Sequence, residues 1–411
     1  MRHRRVWVAA LLLAATCAVT ASRVRAEDAA PADPTRGGWD GFLDPLRDVE
    51  DQVSGAQKSV EDETKFHIGA GITKSWMWNF NDPASGLNTL HSLDQDHNSA
   101  ELDFAQISLS RPSEGWFIPG IGMKLDAGRA AEFIKPDYNG DGNIGHGSFE
   151  ESNFEVQELY ATWTVPDDSP ALKGLTVKGG KFVTLLGAEV IEPWANPNFS
   201  RSFLFGFAIP FTHTGGLVSY PITDKLSVTG GPVIGWDNFK DNNSDPSYMG
   251  NVTWVASDQV TLAGNGIFGP EQLHKVGPKR AVGDLVATIK PSDKLTFLLN
   301  YDYGHENDAA PSGGAAMWQG FAGIASYSFT DRCSASVRGE WFEDHNGART
   351  GTRQELWEGT VDAKYLITQH LWWRAEYRHD ESSKKDVFPA DTNKLLAGQD
   401  ILGFEFTYLF N

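Results

Sequence analysis

The chain closes on Gly398-Gln399-Asp400-Ile401-Leu402-Gly403-Phe404-Glu405-Phe406-Thr407-Tyr408-Leu409-Phe410-Asn411. In steps of two, Leu402, Phe404, Phe406, Tyr408 and Phe410 form one apolar, largely aromatic row, with Gly403, Glu405 and Thr407 between them. A period of two is that of a β-strand with unlike faces. In water such an aromatic edge is a template for aggregation. Against lipid it is what a spanning strand requires, with aromatics near the membrane–water boundary.

The same period runs back through the chain. Sixteen segments carry it: 64–78, 100–110, 119–128, 154–165, 173–185, 214–222, 224–237, 247–256, 259–269, 280–290, 293–305, 315–329, 332–344, 353–367, 370–380 and 398–410. Each is close to or above the roughly 9–11 residues that a tilted strand needs to cross hydrocarbon. Short connections share a turn pattern, as in Ile222-Thr223-Asp224-Lys225-Leu226, Pro291-Ser292-Asp293-Lys294-Leu295 and Ile367-Thr368-Gln369-His370-Leu371. Asp and Ser/Thr suit tight turns because their side chains bond nearby backbone. The alternate connections are longer and polar, among them 81–99, 129–153, 186–213 and 381–397. Short turns at one end and long loops at the other mark an all-β fold, a transmembrane antiparallel up-and-down barrel of about 16 strands over residues 64–411. An even count puts both barrel ends on the short-turn, periplasmic side, so 398–410 should pair with 64–78.

The N-terminus agrees with export. Arg2, Arg4 and Arg5 precede an apolar run, Val6 to Val19, too short for a membrane helix. Residues 1–26 read as a signal peptide, with the mature chain starting at Glu27. In 27–63 a periplasmic helix is expected, since Phe42, Leu46, Val49, Val53, Ala56 and Val60 recur at spacings of four and three. It is either a helix docking on the barrel end or a short trimerising coiled coil. The whole chain has 35 basic and 54 acidic residues, net −19. Loss of the signal, with five arginines and no acid, takes this to −24. Such a balance argues against a nucleic-acid partner. It favours cations if the acids face the lumen and says little about selectivity if they lie in loops. With Cys333 alone after the signal, no intrachain disulfide forms.

Charges alternate with the apolar rows of the later strands. Arg338, Glu340, Asp362, Lys364, Arg374, Glu376 and Arg378 should therefore line a polar lumen. So many charges in a dry core would each cost several kcal/mol unless paired. The connection 186–213 is too apolar to wave in solvent and should fold into the lumen, placing Glu189, Glu192 and Arg201 at a constriction. Packing on the inner wall or a neighbouring subunit, away from solutes, is the alternative.

Gly180-Lys181-Phe182-Val183-Thr184, Gly187-Ala188-Glu189-Val190-Ile191-Glu192, Ser200-Arg201-Ser202-Phe203-Leu204-Phe205 and Ala208-Ile209-Pro210-Phe211-Thr212-His213-Thr214-Gly215 together resemble the signature of the OmpL-like putative β-barrel porin-2 family. Ser227-Val228-Thr229-Gly230-Gly231 and Asp96-His97-Asn98-Ser99 resemble it too. The resemblance spans roughly 64–411 and implies an outer-membrane porin of a Gram-negative bacterium. Asn411 departs from it, since outer-membrane strands often finish on Phe.

In 129–153, Asp137, Asn139, Asp141 and Asn143, with Gly142, match the first half of a calcium loop. A turn-rich surface loop is the competing account. The expected function is passive diffusion of small hydrophilic solutes or ions through a barrel in outer-membrane lipid, a homotrimer by analogy and not an enzyme. The alternatives are a non-conducting receptor or anchor, and a lipid-acting enzyme pairing His213 with Ser200 or Ser202.

Overall fold

The computed structural model describes residues 40–100, 102–136, 153–169, 172–391 and 394–410. Residues 1–26, expected to be a signal peptide, and the residues Asp137, Asn139, Asp141 and Asn143 of the expected calcium loop lie outside them.

Residues Asp40–Thr64 form a helix, α1, as the seam predicts. From Leu46 to Val60 the seam lies along one face, and Val60 is largely exposed.

From Phe66 onward the chain forms a separate unit. Its strands are β1 His67–Asn79, β2 Leu102–Arg111, β3 Gly120–Ala127, β4 Phe154–Thr164, β5 Thr176–Val183, β6 Thr212–Thr223, β7 Leu226–Val233 and β8 Ser247–Ser257. They continue as β9 Val260–Gly269, β10 Arg280–Ser292, β11 Leu295–Glu306, β12 Ala316–Ser328, β13 Cys333–Asp344, β14 Gln354–Leu366 and β15 Leu371–Ser382. The two-residue strands β16 Phe388–Pro389 and β17 Leu395–Leu396 make a small separate hairpin, and β18 Gly398–Phe410 completes the barrel. Sixteen strands close it, each antiparallel to its neighbours. All sixteen coincide with the segments expected from periodicity, with shifts of a few residues at their ends. The β16–β17 hairpin and the helix α2, Arg129–Phe133, were not expected.

The seam is the pairing of β1 with β18, with Ala70 opposite Phe410 and Trp78 opposite Leu402. The two faces of β18 separate cleanly. Phe404 and Phe406 are exposed on the outside, while Glu405 and Thr407 are buried inside. The inward Thr73 and Thr407 hydroxyls meet across the seam at 2.8 Å. Closure leaves no backbone edge unpaired in a medium that offers no hydrogen bonds.

Candidate functional site

The connection 184–211 enters the barrel. Its ends are tied by the Thr184 N–H donating to the Phe211 carbonyl at 2.9 Å. Asp237 accepts from the backbone N–H of Phe211 and Thr212 at 2.7 and 2.9 Å. Gly187 takes φ +91° at the entry, and a Cβ there would collide with the Ile209 side chain. That backbone conformation is open to glycine at little cost. The segment then contains a short 3₁₀ turn, Pro193–Ala195, and a π-turn, Leu204–Ala208.

The barrel wall holds this loop mainly through side chains that grip its backbone. Glu376 accepts from the Phe199 and Ser200 N–H groups at 2.8 and 3.1 Å. Glu340 accepts from Phe203 and Leu204, both at 2.6 Å. Arg374 donates to the Pro193 and Asn196 carbonyls and pairs with Glu405 at 2.6 Å. Arg378 donates to the Arg201 carbonyl at 2.6 Å. Arg338 donates to the Ser200 carbonyl at 2.6 Å and pairs with Glu189 at 2.9 Å and Glu358 at 2.6 Å. A loop has no partner strand for its N–H and C=O groups, so once buried it needs donors and acceptors from elsewhere. The alternating charges of β13–β15 supply them.

Apolar contacts fill the space between. Leu186, Phe203, Leu204, Ala208 and Ile209 share one buried cluster with the inward Leu217, Trp318, Phe342 and Leu356. Trp318 also donates its indole N–H to the Ala208 carbonyl at 3.1 Å. Beside the closing seam Trp194 lies over Gly71 of β1, where a Cβ would come within 2.5 Å of its ring. Trp194 also meets Phe104 at a ring distance of 5.3 Å.

The three residues expected at a constriction are all buried. Glu192 accepts from Lys124 at 2.7 Å and Gln157 at 2.8 Å. Burial opposes its charge, but Lys124 beside it holds the carboxyl below the usual carboxylate range. Glu189 pairs with Arg338, and the Arg201 guanidinium caps the carbonyls of Val190 and Ile191 at 2.9 and 2.8 Å. Burial pulls the Arg201 pKa down to about 10. Of the seven charges expected along the pore, all face inward. Arg338, Glu340, Asp362, Arg374, Glu376 and Arg378 are buried, and only Lys364 stays partly exposed. A water-filled lumen reaching the other six is therefore corrected: most of them serve as the seat of the inserted loop.

A second connection, described over 80–100, also folds inward, which its polar sequence did not signal. His91 is buried, with its ring nitrogens 2.6 Å from Asp94 and 2.9 Å from Asp380. The pair required for a lipid-acting enzyme is not assembled. His213 is turned to the Gly235 carbonyl and the Thr184 hydroxyl at 2.9 and 3.1 Å. The Ser200 hydroxyl receives Arg338, and that of Ser202 receives the Phe205 N–H.

A family model described as Putative beta-barrel porin-2, OmpL-like, matches residues 65–410. The chain belongs to this family. Family and fold together make it a porin-type diffusion barrel of the outer membrane. No curated relative matches it in sequence. Among solved structures it is similar to the outer-membrane channel DcaP of Acinetobacter baumannii, with 10% identity, 84% of this chain and 97% of that one covered, and a TM-score of 0.55. OprB of Pseudomonas putida gives 10%, 87%, 97% and 0.55. The trimer form of OmpT of Vibrio cholerae gives 10%, 84%, 99% and 0.52. At such identities the likeness is one of fold.

Proposed function

We propose that this porin-2 protein passes small hydrophilic solutes across a Gram-negative outer membrane along the inner wall of β6–β9. One cross-strand row carries the proposal. Ser219 lies opposite Thr229, Thr229 opposite Asn251, and Asn251 opposite Asn265. All four side chains are small, uncharged and partly exposed. Their hydroxyl and amide groups bond one another, Ser219 to Thr229 at 2.9 Å and Asn251 to Asn265 at 2.5 Å. A wall of this kind offers hydrogen bonds to a hydrated solute without holding it by charge. In this account Glu189, Glu192 and Arg201 fix the position of the narrowing loop.

The test is a planar bilayer. Purified, folded protein should insert with discrete conductance steps. A bilayer that stays silent with folded protein present removes the diffusion reading and favours a non-conducting receptor or anchor.

The protein is further proposed to trimerise through the α1 seam and the wall around β3 and β5. On this side of the barrel β3, β5 and β7 have 8 residues each, against 12 or 13 in β10–β15 and β18. A strand of that length falls short of the roughly 9–11 residues that span hydrocarbon, so this side of the barrel suits a protein neighbour better than lipid. At its periplasmic edge Phe117 is almost fully exposed. Light scattering on detergent-solubilised protein should give a trimer mass, and removal of residues 27–63 should shift the population toward monomers. A full-length monomer would end this proposal.

A further inference from the structure

A mature charge of −24 favours cations only where the acids face open lumen, and the inner wall distributes its charge differently. The inward acids Asp284, Asp302, Glu340, Glu358, Glu376 and Glu405 are all buried. Glu358 and Glu405 are neutralised by arginines, and Glu340 and Glu376 are committed to loop N–H groups. The inward arginines Arg338, Arg374 and Arg378 are buried with them. Lys124 is held between Glu158 and Glu192 at 3.0 and 2.7 Å.

Two inward cations differ from these. Lys178 on β5 and Lys364 on β14 keep partial access to solvent, and neither makes an ion pair among the described residues. Each ammonium instead sits over an aromatic face. Lys178 Nζ is 4.4 Å from the centre of the Tyr160 ring and 5.7 Å from that of Phe182. Lys364 Nζ is 4.0 Å from that of Trp372. An aromatic face orients a cation without cancelling its charge. The carboxylates that act electrostatically on them, Glu158 on Lys178 and Glu405 and Asp362 on Lys364, are all buried.

Their placement is paired. Lys178 lies two residues from the short-turn end of β5, and Lys364 two residues from the short-turn end of β14. In the closed order of strands β5 and β14 are seven steps apart one way and nine the other, so the two stand on opposite walls. Both belong to the periplasmic mouth.

We propose that Lys178 and Lys364 form an anion-selecting pair at the periplasmic mouth, so that the pore favours small carboxylate- or phosphate-bearing solutes over cations. The proposal rests on the barrel conducting at all. A permeating ion about 5 Å from one such charge in water has its local concentration changed about fourfold. On the inner wall the two lysines together outweigh acids that water does not reach. The exposed carboxylates Asp224, Asp258, Asp293 and Asp331 at this mouth lie in the turns, with Lys225, Lys294 and Arg332 among them.

The test is the reversal potential of the full-length protein in a planar bilayer at pH 7 under a potassium chloride gradient. The native channel should pass chloride over potassium, with a permeability ratio on the order of four or more. Lys178→Gln and Lys364→Gln should each lower the ratio, and the double variant should bring it to one or below. Heat-modified migration in a gel confirms that each variant has folded. A potassium-preferring native channel, or a folded double variant with an unchanged ratio, overturns the pair and leaves the porin reading standing. The absence of any conductance overturns both.

Discussion

Arg338→Ala should loosen the inserted loop and lower barrel stability by about 3–5 kcal/mol, the usual consequence of removing one partner from a buried ion network. The arginine is buried between Glu189 of the loop and Glu358 of the wall, and it also holds the Ser200 carbonyl. Without it two carboxylates face one another in a site that excludes water. The loop can relieve this only by leaving its seat. The variant should therefore show a lower urea midpoint, larger and noisier conductance steps, and faster proteolysis within 186–213. Glu189→Gln in the same background should restore part of the stability, because it removes one of the stranded charges. A variant with native midpoint and native conductance would show that Glu340, Glu376 and Arg374 hold the loop without Arg338.

The second large effect lies on β18, where neighbouring residues meet opposite environments. Phe404→Arg puts a cation near the middle of the lipid-facing surface and should destabilise the barrel by about 2–4 kcal/mol, enough to impair assembly. Glu405→Gln, one residue along, leaves the outer surface unchanged and removes the carboxylate that pairs with Arg374 at 2.6 Å. Its effect should appear in the loop, as altered conductance from a barrel that still assembles. Folding yield into lipid vesicles separates the two. Equal yields for both variants would contradict the assignment of faces along this strand.

The sequence carried the barrel because a membrane makes the code strict. Each strand must hide its polar backbone in a partner and show lipid an apolar face, so period two recurs in every segment and turns fall at fixed places. The row from Leu402 to Phe410 was enough to orient β18, and repetition of that row gave the number of strands. The inserted loop was also visible, since Phe203-Leu204-Phe205-Gly206-Phe207-Ala208 is too apolar for a surface connection. Its seat was not. Alternation identifies Arg338, Glu376 and Arg378 as inward, but cannot say whether water or the backbone of another segment meets them. The partners lie far away in sequence, such as Glu376 with Phe199 and Arg338 with Glu189.

By itself, then, the sequence determined the architecture: strand number, strand faces, the closing seam and the segment that turns inward. These follow from local periodicity and from the requirement that membrane-embedded backbone be paired. Only the tertiary structure decided which inner charges reach water. Barrel closure brings β13–β15 onto the loop from the opposite wall, and desolvation there turns most inward charges into loop anchors. It leaves Lys178 and Lys364 partly exposed at the mouth. Burial is set by contacts between distant segments, and no local pattern encodes it.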